Sequence, residues 1–273
     1  MKVIFLDIDG TLTVAGENIP PQSAIDAIRA AQANGHQVFL CTGRSWSMSE
    51  SIAAYGFDGA ITSAGGYIAV GGDVIYNHPM GPDELRRVLD IMRDPDIFPI
   101  LETNSMTFAD LGADNFDSLS GPMNSELMRW RKAVTESFAV RPLRDYRGEP
   151  AYKLSFLCLR RDALTRPERL LSDRYQFCLQ DFFTGELVNG ELISRAFDKG
   201  RALRRVCDYL RVPIADSIAF GDSMNDLEMI EAAGIGVCMG NGSPTLKAAS
   251  DKVCPAVEKD GLAIAFRELG LIS

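Results

Sequence analysis

The sequence predicts an α/β protein: a doubly wound, mostly parallel sheet of Rossmann-like type, interrupted by an inserted α+β domain. Three observations carry that expectation. Short apolar runs at Val3–Leu6, Gln37–Cys41, Ser217–Phe220 and Ile235–Met239 end in small or polar residues, as strands buried on both faces do. Helical patterns alternate with them, which is the rhythm of parallel βαβ units. Between the two alternating stretches lies a segment of different texture, opened by His78-Pro79-Met80-Gly81-Pro82, whose proline and glycine residues punctuate the chain.

The elements follow in order. Ile25 and Ile28 with intervening alanines form a helical face that stops near Gly35, and Leu203, Val206, Cys207 and Leu210 repeat at helical spacing. Ser243-Pro244 reads as an N-cap with proline at the first helical position, and Leu262, Ala265, Phe266 and Leu269 make a last amphipathic helix. In the middle, Leu85, Val88, Leu89 and Met92 mark a helix, as do Leu127, Trp130, Val134 and Phe138. Ile100–Thr103, Thr107–Ala109 and Tyr152–Cys158 read as strands, and Asn189-Gly190 between two apolar runs predicts a two-residue hairpin turn, hence an antiparallel sheet. The expected division is a core of residues 1–79 and 196–273 with an insert of residues 80–195.

Composition narrows the partners. A formal charge of −9 argues against a broad nucleic-acid surface, which needs clustered Lys and Arg, while leaving room for a small anionic substrate held by local positive charge. No apolar stretch approaches membrane-spanning length, and the chain opens without a secretory pattern, so the cytoplasm is the expected location. Six scattered cysteines without a Cys-x-x-Cys pair read as buried reduced thiols rather than zinc ligands or disulfides. The oligomeric state stays open.

Asp7-Ile8-Asp9-Gly10-Thr11 stands directly behind the first apolar run, so both carboxylates emerge where a parallel strand ends, the edge at which open α/β sheets bind ligands. The other strand ends bring Thr42 with Gly43, Asp222 with Asn225, and Gly240 with Asn241 to the same edge, and Lys199 joins from the start of a helix. Asp7, Asp9 and Asp222 form an all-oxygen set that suits Mg2+, a hard cation commonly shared with substrate phosphate. Thr42 and Lys199 are donors for phosphoryl oxygens. Singly, each has a plainer reading: an Asx turn at Asp7-Ile8-Asp9-Gly10, a helix cap at Thr42, a solvated Lys199, an acidic first helical turn at Asp222–Asp226. Together they suit phosphoryl transfer.

Asp-x-Asp-Gly-Thr, Thr-Gly-Arg at 42–44, Lys-Gly at 199–200 and Gly-Asp-x-x-Asn-Asp at 221–226 resemble, in order and spacing, the four motifs of the haloacid dehalogenase superfamily. The insert between the second and third motifs resembles the large cap of the subgroup that includes Cof-type sugar phosphatases, sucrose phosphatases and phosphomannomutases. The resemblance implies that Asp7 is the nucleophile and forms an aspartyl-phosphate, and that Asp9 is the general acid and base. It implies Mg2+ held by Asp7, Asp222 and the backbone carbonyl of Asp9, with Thr42, Gly43, Lys199 and Asn225 on the substrate. Asp226 then orients Lys199 or a metal-bound water, while Arg44 either reaches the leaving group or forms a surface ion pair, and Asn241 supports the phosphate site or caps a helix. One departure concerns specificity: Ala64-Gly65-Gly66 stands where related proteins often carry Asn-Gly. The implied activity is Mg2+-dependent hydrolysis of a small phosphorylated metabolite, a sugar phosphate in the first instance. A hexose phosphomutase is the enzymatic alternative, because residues 9–13 also resemble the phosphomannomutase opening. A phosphate-sensing regulatory module is the alternative from another class, and the presence of Asp9 beside Asp7 speaks against it.

Overall fold

A computed structural model of the protein describes residues 1–110, 140–181 and 188–273. They divide into two compact units, Met1–Arg44 with Met48–Asn77 and Phe197–Ser273, and Ser45–Ser47 with His78–Ala196. The helix expected around Leu127, Trp130, Val134 and Phe138 lies outside the described residues.

The first unit begins with β1 (Val3–Leu6), every residue of which is buried, as the unbroken apolar run requires. Helix α1 (Gln22–Ala33) buries Ala24, Ile25, Ala27, Ile28 and Ala31 on one face, and the chain leaves it through Gly35 to enter β2 (Gln37–Cys41). After α2 (Trp46–Ala53) come β3 (Gly59–Thr62) and an antiparallel pair that the sequence reading passed over, β4 (Tyr67–Val70) and β5 (Asp73–Asn77), joined through Gly71 and Gly72. Both strands are short, β5 being the sheet's edge strand and β4 its neighbour, and half-buried residues in them blur the apolar signal.

In the second unit, α3 (Pro82–Ile91) precedes β6 (Ile97–Thr103) and β7 (Thr107–Ala109). Then follow β8 (Val140–Arg141), β9 (Ala151–Cys158), α4 (Thr165–Leu171), β10 (Tyr175–Asp181) and β11 (Val188–Ser194). The six strands form one sheet in the order β10-β11-β9-β6-β7-β8, antiparallel except for the β7–β8 pair. One face is an apolar core in which Leu101, Leu154, Phe156 and Leu192 pack with Leu85 and Val88 of α3 and Leu171 of α4. The register puts Glu102 opposite Lys153, and Ser155 opposite Glu191, on the other face, because cross-strand partners share a face.

Asn189-Gly190 is not a turn. Both residues lie inside β11, with Gly190 opposite Leu179 on one side and Phe156 on the other. The glycine is there for space: a Cβ at 190 would stand 2.8 Å from Cys178 O and 2.8 Å from the Phe156 ring. A short-range turn signal was thus overridden by close packing in a central strand.

The chain returns to the first unit with α5 (Lys199–Leu210), β12 (Ser217–Gly221), α6 (Leu227–Ala232), β13 (Ile235–Cys238), α7 (Pro244–Ala249), β14 (Lys252–Val253) and α8 (Gly261–Glu268). Ser243 caps α7 by accepting from Leu246 N, with Pro244 at the first turn as its sequence implies. The eight strands run β14-β13-β12-β1-β2-β3-β4-β5, parallel from β14 to β3. β1 therefore sits between β2 and β12, at the point where the winding reverses, and its C-terminal end is the topological site for a ligand. Among the described residues no helix is long and apolar enough to cross a membrane.

Candidate active site

Asp7 leaves β1 with its amide donating to Phe220 O at 3.0 Å, so the ladder with β12 extends one residue beyond the strand. The backbone then folds into a tight loop: Gly10 N donates to Thr13 O at 2.8 Å, and Thr13 N to Ile8 O at 2.9 Å. Gly10 takes a φ of +79°, open to glycine and costly for others, and an added Cβ there would lie 2.3 Å from Asp222 Oδ2. The first motif needs its glycine because the fourth motif's carboxylate occupies the space.

Lys199 begins α5 just behind Asp198, whose Oδ1 accepts from Arg201 N at 2.6 Å as the helix cap. Its ammonium is buried and bridges two acids, donating to Asp7 Oδ1 at 2.7 Å and Asp226 Oδ1 at 2.5 Å. Burial pushes the Lys199 amine down, but Asp226 and Asp7 outweigh it and hold the amine well above its ordinary range. Burial is also the main force on Asp7, raised to about 7 with help from Asp226 and against the pull of Lys199. Asp222 is pushed up to about 8, by burial first and then by Asp7 and Asp226. Asp226 is fully buried and fully used: beyond Lys199, its Oδ2 accepts from Asp222 N at 3.0 Å and Ser223 N at 3.2 Å.

Carboxylate oxygens of Asp7, Asp222 and Asp226 lie within 4.8 Å of one another. Asp222 Oδ1 is buried without a hydrogen-bond partner, which is costly unless a cation or proton completes it. The donors in the cluster are oxygens, the preference of Mg2+. The residues present therefore fit a divalent hard cation.

Thr42 follows β2, buried, with its amide on Ile61 O at 2.9 Å and its Oγ1 accepting from Arg44 N at 3.1 Å. Acceptance from the backbone leaves the hydroxyl proton for another oxygen. A Cβ at Gly43 would be 3.9 Å from Asn225 Nδ2, so the second and fourth motifs meet there. Asn225 itself is exposed, its Oδ1 accepting from Ser223 Oγ at 2.8 Å. Asn241 ties the edge together, with Nδ2 donating to Gly10 O at 2.7 Å and Oδ1 accepting from Val257 N at 3.1 Å. Next to Thr42, Ser63 and Ala64 both adopt positive φ, 52° and 56°, a conformation that favours Asn or Gly over Ala.

Arg44 is neither at the surface nor unattached. It is buried, and its guanidinium grips Asp9 with both arms, while Nη1 donates to Asn18 Oδ1 at 2.6 Å. The carboxylate of Asp9 thus belongs to this pair, and the acidic cluster consists of Asp7, Asp222 and Asp226. Asn18 was not singled out from sequence; it sits in an irregular loop with no periodic signal.

A family model described as haloacid dehalogenase-like hydrolase matches residues 4–266. Phosphatase YwpJ of Bacillus subtilis is 27% identical over 296 residues, covering 98% of this chain and 100% of the relative. Among solved structures, BT1666 of Bacteroides thetaiotaomicron, described among phosphatases of the superfamily, aligns with a TM-score of 0.78 at 26% identity, over 100% of this chain and 96% of its own. The subclass IIB sugar phosphatase BT4131 has the same fold, with a TM-score of 0.75 at 22% identity and complete coverage of both chains. Four motifs on one sheet edge and a model that spans nearly the whole sequence lead to one assignment: this chain belongs to the haloacid dehalogenase-like hydrolase family.

Proposed function

We propose that the protein is a Mg2+-dependent phosphatase that hydrolyses a small phosphorylated metabolite, a sugar phosphate by preference, through an aspartyl-phosphate on Asp7. The observation that supports this reading best is Lys199 clamped between Asp7 and Asp226 beside the unpartnered Asp222 oxygen. Lys199 holds Asp7 Oδ1, which leaves Oδ2 to attack phosphorus in line with the departing ester oxygen. The P–O bond to the leaving group breaks as the Asp7 oxygen bonds to phosphorus. In this reading Asp9 gives a proton to the leaving alkoxide, one Arg44 bond yielding to the protonated oxygen, and then takes one from the water that cleaves the aspartyl-phosphate and restores Asp7.

Two of the three Lys199 protons are committed to carboxylates, and the third serves a phosphoryl oxygen along with the Thr42 hydroxyl. Asp7 and Asp222, with the backbone carbonyl of Asp9, would hold Mg2+. The ion, when bound, neutralises phosphoryl charge and lets an anionic ester approach an anionic nucleophile. The insert acts as the specificity cap in this reading, and the free cysteines agree with a reducing cytoplasm.

The test is phosphate release from a panel of phosphorylated metabolites with Mg2+, run beside Asp7→Asn. Release by the wild type and its loss in the variant support the reading. No release from any ester, or equal activity in the variant, rejects it. Isomerised sugar phosphate without net phosphate release would point to the phosphomutase, and a long-lived phospho-Asp7 insensitive to Asp9→Asn to a regulatory module.

A further inference from the structure

The loop that follows β3 is held in a conformation its residues do not favour. Ser63, Ala64 and Gly65 take φ of 52°, 56° and 105° in succession, and only the last of them is a glycine. Ser63 and Ala64 are buried, and the hydroxyls of Thr62 and Ser63 have no hydrogen-bond partner. Strain and unmet hydroxyls of this kind persist only where the surroundings impose them, and they gather at functional sites.

What imposes them is contact with two motifs at once. On one side the loop is stitched to the second motif: Ser63 N donates to Arg44 O at 2.7 Å, and Ala64 N to Thr42 O at 3.0 Å. On the other it presses on the residues just before Lys199. A Cβ at Gly65 would stand 2.5 Å from Asp198 O and 3.2 Å from Ala202 Cβ, and one at Gly66 would stand 2.9 Å from the Phe197 ring. Asp198 O has no slack of its own, since it accepts from Ala202 N at 3.0 Å as the first carbonyl of the α5 ladder. The same turn is equally tight against α6, because a Cβ at Gly200 would overlap Glu228 O. The backbone of Lys199 is thus gripped by the 63–66 loop and by the helix that follows the fourth motif.

We propose that residues 63–66 are a spacer that sets the separation of Thr42 from Lys199, the two donors assigned to the phosphoryl oxygens. Gly65 is its positioning residue, touching no substrate and acting through the backbone of Asp198 and Lys199. The proposal rests on the phosphatase reading and deepens it. With two of its protons on Asp7 Oδ1 and Asp226 Oδ1, the Lys199 ammonium aims its third in a single direction, and that direction holds only while the backbone stays in place.

The test compares Gly65→Ala with Gly72→Ala in the full chain with Mg2+. Gly72 has a similar φ of 97° between β4 and β5, with nothing within 4 Å of an added Cβ, so it bears the backbone cost without the contact. Both variants should melt earlier than the wild type. Only Gly65→Ala should lower kcat on p-nitrophenyl phosphate, by about 10- to 100-fold with KM within about threefold, as a misplaced donor does. A second readout needs no turnover: acylation of amines followed by peptide mass. Buried Lys199 should resist the reagent in the wild type and in Gly72→Ala, and should label about tenfold faster in Gly65→Ala. Gly66→Ala keeps an ordinary φ and meets the Phe197 ring, so it should move both readouts the same way by a smaller factor. It carries the test if Gly65→Ala does not fold.

Equal kcat losses in the 65 and 72 variants, a wild-type kcat in Gly65→Ala, a loss confined to KM, or unchanged labelling of Lys199 overturns the proposal. Those results leave the phosphatase reading standing. A wild type that hydrolyses no ester, or activity that survives Asp7→Asn, rejects the phosphatase reading, and the labelling of Lys199 then decides the spacer alone.

Discussion

Arg44 holds both carboxylate oxygens of Asp9, Nη2 to Oδ1 at 2.6 Å and Nε to Oδ2 at 2.8 Å. A planar guanidinium bonded in this way fixes the plane of the carboxylate as well as its position, which a lysine cannot do. Arg44 is itself held by Asn18 and by the carbonyl of Glu17, so the orientation is passed from the loop behind the first motif back to its second aspartate. Arg44→Lys should therefore lower kcat by roughly 10²-fold, the cost of a misplaced proton donor, with little change in KM. Steady-state kinetics decide it: a change confined to KM would mean that Arg44 binds substrate instead.

In the proposed mechanism the two aspartates divide the chemistry, and they should fail differently. Asp7→Asn removes the attacking oxygen and should leave no phosphoenzyme. Asp9→Asn retains the nucleophile but loses the proton carrier, so turnover should drop roughly 10²- to 10⁴-fold while aspartyl-phosphate accumulates from an ester with a good leaving group. Intact-protein mass measured after rapid quenching separates the two.

Gly10 is the contact between the first and fourth motifs. Gly10→Ala imposes a left-handed conformation on a residue with a Cβ, at a cost of about 1–2 kcal/mol, and drives that Cβ against Asp222. The Mg2+ concentration needed for half-maximal activity should rise, while circular dichroism remains that of the folded chain. Unchanged Mg2+ dependence would remove Asp222 from the ligand set.

Stability should depend on pH and metal together. Asp7 at about 7 and Asp222 at about 8 bind protons more tightly in the folded chain than in the unfolded one. The folded state thus carries extra protons between roughly pH 4 and pH 8, and stability of the metal-free protein falls as pH rises through that window. A divalent cation replaces those protons, so the rise in Tm on adding Mg2+ should be larger near the alkaline end than near the acid end. Calorimetry at both ends checks the sign; a larger gain at acid pH contradicts it.

Gly190 tests the cap sheet. Gly190→Ala puts a methyl group between Cys178 O and the Phe156 ring and should destabilise the protein by about 1–3 kcal/mol, seen as a lower midpoint in chemical denaturation. A hairpin turn at this position would have tolerated the change differently, through φ rather than through packing.

Much of the core was legible because its signals are local. Val3–Leu6, Val38–Cys41 and Ile218–Phe220 are apolar in unbroken runs, and each is followed within two residues by Asp7, Thr42 or Asp222, which the sheet then aligns at one edge. Three features were not legible, for a shared reason. The Arg44–Asp9 fork, the charged face around Lys153 and the packing role of Gly190 all depend on cross-strand or cross-loop neighbours far away in sequence. Asn189-Gly190 shows the hazard most directly: the dipeptide has turn chemistry, but its neighbours from β9 and β10 decide its conformation. Asp226, expected to orient either Lys199 or a metal-bound water, accepts a hydrogen bond from Lys199 and also lies in the acidic cluster.

The central place of β1 has a consequence for how the protein comes into being. Val3 pairs with Ser217 on one side and with Gln37 on the other, so the strand that delivers Asp7 is completed by residues from opposite ends of the chain. Pairings of such sequence separation pay their loop-closure entropy before they gain contacts, and they form late. During synthesis the first motif leaves the ribosome long before Lys199, Asp222 and Asp226 exist, while the insert, continuous from His78 to Ala196, has all its own strands in hand. The nascent chain can therefore fold its insert first, and Asp7 has no Lys199 to pair with until the last third has been made.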